Sequence, residues 1–570
     1  MRNWLGGLIV LLMLSAGGCS IAPPSSALRQ GSLPTLTPFQ PIYEKEVTLP
    51  PEAAIKSSPV PSASTGSVSL WIDEAVPDGV RQALQQSGSR YVAAGTLETA
   101  ALRLGVVPEG GSQWIYALVA PFPTVEDGVT LVEALRTWRG EGGEAFGGRP
   151  LWMDSRTRQA FEAVWGKAAD SGVRVVETSQ LLQAAWEERP AWALVPFEAL
   201  DPRWKALQID GMSPLDRDLD LTRYPLTVHF GVVSGKLDAE IRLPLTNRDP
   251  QRMTALLMTG VTALVRATGA KMETHGMQYP AQDILAWFEA ADLVHISNEV
   301  SFDADCPLAN PYQKNLRFCS RNEYVELFTH IGADIVELTG NHLVDWRRES
   351  LVESLALYRQ RGMQVYGAGT DLAEARRPLL VEHNGNRRGF LGCNPAGPPN
   401  VWANAQRAGA AACEDYGWIK EEIARLRSQG YLPVVTLQYH ETYALAPTPY
   451  QVRDFPPLAE AGAVIVSGSQ AHYPHGMTFV EDRLIHFGLG NLFFDQMFTP
   501  TGLGTPLFNP VDLPVAGTRL GFLDRHVFYD GRYISAQLLT TMLEDYAKPR
   551  PLTAEERAVL LRDTFRASGW

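Results

Sequence analysis

The stretch Ile335-Val336-Glu337-Leu338-Thr339-Gly340-Asn341-His342-Leu343-Val344-Asp345 decides how the second half of this chain folds. A short apolar run reads as a buried strand, and it stops at a Gly-Asn-His block followed three residues later by an acid. Blocks of the same kind recur at the ends of other apolar runs. They are Asp292-Leu293 with Asn298-Glu299, then His440-Glu441, Gly468-Ser469-Gln470-Ala471-His472, and finally Leu489-Gly490-Asn491. Carboxylates, carboxamides and imidazoles gathered at strand ends are the donors that a divalent-metal hydrolase uses. They also fall where open α/β folds place their sites.

The runs that carry these blocks alternate with helical patterns. Strands are expected over 255–261, 293–296, 335–338, 389–392, 432–437, 463–466 and 485–489, and helices over 285–291, 323–331 and 351–361. This predicts a sandwiched α/β domain over residues 250–545, with a short polar helix and tail over 546–570. Histidine, the commonest metal ligand, divides the chain. None of the eleven histidines falls in the first 228 residues, and ten lie between His275 and His526, so the chemistry belongs to the second half.

Residues 66–245 show a second α/β alternation, with strands over 68–72, 115–120 and 150–153 and helices over 79–86 and 156–165. The stretch 192–211, from Trp192 to Gly211, resembles the strand–turn–strand return of type 2 periplasmic solute-binding proteins. A smaller α/β domain of that kind is therefore expected ahead of the sandwich. No ligand constellation stands out in it, and a scaffold and a receptor remain equally open.

At 570 residues the chain is too long for one hydrophobic core. An apolar fraction of 45% and a charged fraction of 20% are ordinary for folded protein. The net charge of −13 argues against nucleic acid and against anionic membrane surfaces as primary partners. Arg2, the apolar run Leu8 to Leu14 and the small residues Ser15-Ala16-Gly17-Gly18 before Cys19 read as a signal peptide over 1–18. That ending resembles a bacterial lipobox, in which Cys19 is acylated. Residues 19–65, rich in Pro and Ser, then form a tether, which places the protein at the cell membrane on its extracytoplasmic face. The plainer alternative is a secretory signal with an incidental cysteine. Cys306, Cys319, Cys393 and Cys413 make an even number, as an oxidising compartment favours. Three pairings are open; proximity favours Cys306 with Cys319 and Cys393 with Cys413.

Taken in order, the blocks resemble the CapA family of poly-γ-glutamate capsule-biosynthesis proteins. Its patterns run Gly-Asp, Asn-Leu-Glu, Asn-Asn-His, His-Trp-Gly, Gly-x-His-x-His and Leu-Gly-Asn-Phe. The resemblance implies a calcineurin-like metallophosphatase fold for 250–545. It implies Glu299, Asn341, His440 and His472 as metal ligands, His342 as a catalytic proton donor and Asp345 as the residue that orients it. Gln470 and Asn491 would line the site. Two positions depart from the pattern: Val261 stands where the family has its first Asp, and Gln470 where it has the first His of the pair. Losing one anionic and one imidazole donor predicts a single divalent ion (Mn, Fe or Zn) rather than two, or none. The plainer reading of His342 is a core or cap histidine and of Glu299 a loop acid; the company of the other blocks favours site roles. Two functions follow. One is metal-dependent hydrolysis of a phosphoester or of an anionic cell-surface polymer such as poly-γ-glutamate, alongside capsule-synthesis machinery. The other is a surface binding or assembly protein that keeps the fold without catalysis.

Overall fold

The computed structural model describes residues 67–86, 91–235, 243–313, 315–496 and 517–570. The signal peptide, the acylation site Cys19 and the tether expected over 19–65 lie outside the described residues. The rest falls in one compact unit, Thr65–Trp570. Among the described residues no helix is long and apolar enough to cross a membrane.

The second half is built on two sheets. The first has seven strands in the order Gln364–Tyr366, Ile335–Glu337, Leu293–Asn298, Met253–Thr262, Leu520–Tyr529, Arg532–Glu544 and Lys548–Pro551. Its first four strands run parallel and the last three antiparallel. The second sheet has six strands, in which Asn386–Cys393, Leu432–Gln438, Ile465–Ser469 and Arg483–His486 are mutually parallel. All ten residues of Met253–Thr262 and all seven of Leu432–Gln438 are buried, which is why these strands read as unbroken apolar runs rather than as alternation. This is the α/β sandwich of metallophosphatase type that the sequence predicts.

Two elements depart from the sequence reading. The strand Leu520–Tyr529 pairs antiparallel with the central strand Met253–Thr262, although the apolar pattern predicts no strand after 489. The segment beyond 545 adds the edge strand Lys548–Pro551 and a helix, Ala554–Ala567, that buries Leu560, Leu561 and Phe565 in the shared core. Polar residues mask both from a pattern reading: Asp524, Arg525 and His526 interrupt the strand, and acids and arginines cover the helix's outer face.

Residues 67–235 form a further α/β layer around a nine-stranded sheet whose central strand is Ser112–Pro121. It joins the sandwich through apolar and charged contacts. Phe197 meets Tyr529 edge-on at 4.9 Å, and Phe122 meets Phe479 at 5.2 Å. The Asp127 carboxylate pairs with both Arg557 and Lys205, which holds its pKa down at about 2 against the opposing effect of burial.

Two disulfides, Cys306–Cys319 and Cys393–Cys413, close loops of 13 and 20 residues. By loop-closure entropy each contributes about 3 kcal/mol. Replacing both members of either pair by serine should lower the urea-unfolding free energy by about that amount.

Candidate functional site

The parallel strands of both sheets end on the same side, and the polar blocks meet there. Glu299 follows Leu293–Asn298, is 3% exposed, and its N–H donates to the Thr262 carbonyl at 2.9 Å. Gly340 lets the Asn341-His342 block approach it. A Cβ there would stand 2.6 Å from the Glu299 carbonyl oxygen, closer than any side chain is accommodated. From the facing sheet comes Gln438, the last residue of Leu432–Gln438. Its Nε2 donates to Glu299 Oε1 at 3.0 Å and to Asn341 Oδ1 at 3.1 Å. Ser469 Oγ donates to Gln438 Oε1 at 2.8 Å and fixes the amide's orientation.

His342 donates from Nδ1 to Asp345 Oδ2 at 2.6 Å, and the same oxygen accepts the Phe318 N–H at 3.1 Å. Burial by itself would lower the His342 pKa. The hydrogen bond to Asp345 and the charge of Glu299 outweigh burial and raise it above the ordinary histidine value. With Nδ1 committed to Asp345, Nε2 is the ring atom left for other work. Phe318 sits one residue before Cys319, so the Cys306–Cys319 disulfide ties down the loop that presses its ring against His342, centroids 5.0 Å apart.

Val261 is 1% exposed and belongs to an apolar cluster with Ala263, Val265, Val300, Phe318 and Phe494. Its backbone is bound to the closing block: Val261 N–H donates to Gly490 O, and Leu492 N–H to Val261 O, both at 2.9 Å. His472 donates from Nδ1 to Asn491 Oδ1 at 2.8 Å, and Asn491 Nδ2 donates to Thr518 O at 2.9 Å. Gln470 is buried, its Oε1 without a hydrogen-bond partner among the described residues. Both Gln470 and His472 have left-handed backbone, φ 66° and 49°, a costly conformation that concentrates at functional sites.

The structure thus brings Glu299, Asn341, His342 and Asp345 together, with His472 and Asn491 paired on the facing side. It does not bring His440 with them. That residue is exposed, two positions beyond the strand end, and its ring lies against Tyr439 at 5.0 Å. The place expected for His440 is held by Gln438. His475, three residues after His472, is fully buried and accepts from Gln451 Nε2 at 3.3 Å. The sequence reading misses Gln438, Phe318 and Arg266. A signal for Gln438 exists, since it closes a seven-residue buried run, but the histidine two positions on is the stronger ligand type.

A divalent ion needs several anionic or imidazole donors converging on one point. Here the Glu299 and Asn341 oxygens converge on an amide N–H2 group, Val261 offers no donor, and His440 is exposed with no hydrogen bond to them. Among the described residues no group of three His, Cys, Asp or Glu is placed to hold a metal. The four expected ligands, Glu299, Asn341, His440 and His472, therefore do not fit a metal centre as arranged. Nearby, burial lifts the Asp495 carboxyl to about 6 even with Arg519 at 2.8 Å.

The fold and the site define a two-sheet α/β sandwich with buried polar residues gathered at the ends of its parallel strands. Residues 255–496 match the profile of the family described as bacterial capsule synthesis protein PGA_cap. The chain is 22% identical over 264 residues to "Capsule biosynthesis protein CapA" of Bacillus anthracis, covering 45% of this chain and 64% of that protein. It is 25% identical over 230 residues to "Probable polyglutamine synthesis accessory protein Rv0574c" of Mycobacterium tuberculosis, covering 38% of this chain and 60% of that protein. The chain thus spans less than two thirds of the length of these relatives. Among solved structures, a 5'-nucleotidase precursor from Thermus thermophilus is similar at TM-score 0.30 and 16% identity, over 55% of this chain and 59% of that one.

Proposed function

We propose that this chain serves capsule or poly-γ-glutamate synthesis as an exported, membrane-anchored protein that binds the anionic polymer or its assembly machinery without metal-dependent hydrolysis. The match to the PGA_cap family profile and the names of the B. anthracis and M. tuberculosis relatives support the first part. Two disulfides support an oxidising, extracytoplasmic compartment. One observation carries the second part: Gln438 donates both of its amide protons to the oxygens of Glu299 and Asn341, the two donors a cation would need first.

Equilibrium dialysis of the full chain against poly-γ-glutamate tests the binding. Metal-stripped protein is expected to keep its melting temperature within about 1 °C when Mn2+ or Zn2+ is added, because a ligand stabilises only the state that binds it. A rise of several degrees at micromolar metal would contradict this reading. A hydrolytic alternative draws on the His342–Asp345 pair, whose geometry suits a proton donor. Shortening of polymer chains incubated with the protein, abolished by His342→Ala, would favour it instead.

A further inference from the structure

The N-terminus of the ten-residue helix Arg266–His275 is buried beside this site, and among the described residues the N–H groups of Arg266, Ala267 and Thr268 have no acceptor. Val265, the residue before it, supplies no side-chain cap. Val265, Arg266, Ala267 and Thr268 are 4%, 6%, 5% and 1% exposed. Arg266 itself is the second observation. Among the described residues its guanidinium has no hydrogen bond and no ion pair, and its buried Nε has no partner. It lies over the Phe318 ring at 4.7 Å, on the same ring that His342 meets edge-on at 5.0 Å. Arg266 also holds a left-handed backbone, φ 51°, which costs free energy unless the surroundings over-determine it.

An arginine whose buried Nε has no acceptor is costly, and an uncapped helix N-terminus adds partial positive charge to it. Both are relieved by an anion, for which helix N–H groups and an arginine fork are matched donors. The charge of that anion is limited by its surroundings. Glu299, Asp495 and Glu441 all lie close enough to act on Arg266 without bonding to it. A dianion would meet repulsion from all three, whereas a carboxylate brings a single charge.

We propose that Arg266 and the N-terminus of its helix form a seat for one carboxylate of the ligand chain, with His342 and Phe318 as its far wall. Resting on the polymer-binding reading above, this makes the recognised unit a free carboxylate of a γ-linked glutamate chain.

Isothermal titration of the full chain with a γ-linked glutamate pentamer, with glutarate and with inorganic phosphate separates the readings. Wild type is expected to bind the pentamer, and Arg266→Gln to bind it at least tenfold more weakly at unchanged far-ultraviolet circular dichroism. Arg266→Lys keeps the charge but loses the fork, and at least threefold weaker binding is expected. It decides the matter if Arg266→Gln does not fold. Pentamer binding that ignores both substitutions overturns the seat while leaving polymer binding standing. Glutarate binding that depends on Arg266, without any pentamer binding, keeps the seat and removes the polymer. Phosphate binding tighter than glutarate overturns the carboxylate assignment.

Discussion

Acidification from pH 6.5 to 5 is expected to lower the stability of the folded chain steeply, by up to about 4 kcal/mol per pH unit, through three buried histidines. Burial pushes His295 and His475 down to about 3 and His526 down to about 4, so none is protonated in the folded state over this range. In the unfolded chain each titrates near 6.5. The unfolded state therefore binds more protons, and stability falls as pH drops below 6.5, by about 1.4 kcal/mol per unit for each histidine. Asp495 acts in the opposite direction. Raised by burial to about 6, it takes up a proton in the folded state first and returns at most about 1.4 kcal/mol per unit between pH 6 and 4. Glu337, also raised by burial, acts in the same direction. Urea midpoints at pH 7 and 5 measure the net effect. His526→Gln retains a partner for the Tyr533 hydroxyl, which meets Nδ1 at 2.9 Å, and should flatten the dependence by one histidine's share. Equal midpoints for wild type at the two pH values would contradict the account.

Removing the Asp524 carboxylate is expected to cost about 3–5 kcal/mol. Asp524 lies on the strand Leu520–Tyr529 of the seven-stranded sheet, and His486 ends Arg483–His486 of the facing one. His486 Nδ1 donates to Asp524 Oδ2 at 2.6 Å, and both side chains are 1% exposed. The pair is a polar cross-link between the two sheets, in the layer where a sandwich ordinarily packs only apolar side chains. Asp524→Ala strands a buried imidazole donor and opens a void; Asp524→Asn keeps an acceptor and should cost clearly less. The difference between the two variants, read by urea unfolding at pH 7, isolates the hydrogen bond from the packing. Equal losses would mean that the cavity alone matters.

These buried groups show where pattern reading runs short. Asp524 and His526 are two apart on one strand, so they face the same way, into the sandwich. In sequence an acid and a histidine at such spacing look like a solvent face, because periodicity reports which side a residue takes and not what covers that side. The apolar strands had no such ambiguity. Met253–Thr262, Leu293–Asn298, Ile335–Glu337 and Leu432–Gln438 all lie where unbroken apolar runs place them. The His342–Asp345 bond is the contact that the family resemblance implied.

Gln438 and Arg266 could not be found that way. A strand end is defined to within a residue or two by sequence, and that is the distance between Gln438 in the site and His440 at the surface. Arg266 looks like any arginine opening a helix until Phe318, held 52 positions away in sequence by the Cys306–Cys319 bridge, is seen beneath it.

By itself, then, the sequence determined the buried parallel strands, the order of the polar blocks, the family they resemble and the departures from its pattern at Val261 and Gln470. Those are local facts, written in side-chain type and spacing. Only the tertiary structure decided which amide fills the space between Glu299 and Asn341, which cation stands unpaired beside them and which acid crosses between the sheets. Each of these is a contact between segments far apart in the chain, and its existence depends on how two sheets pack, which no single stretch of residues encodes.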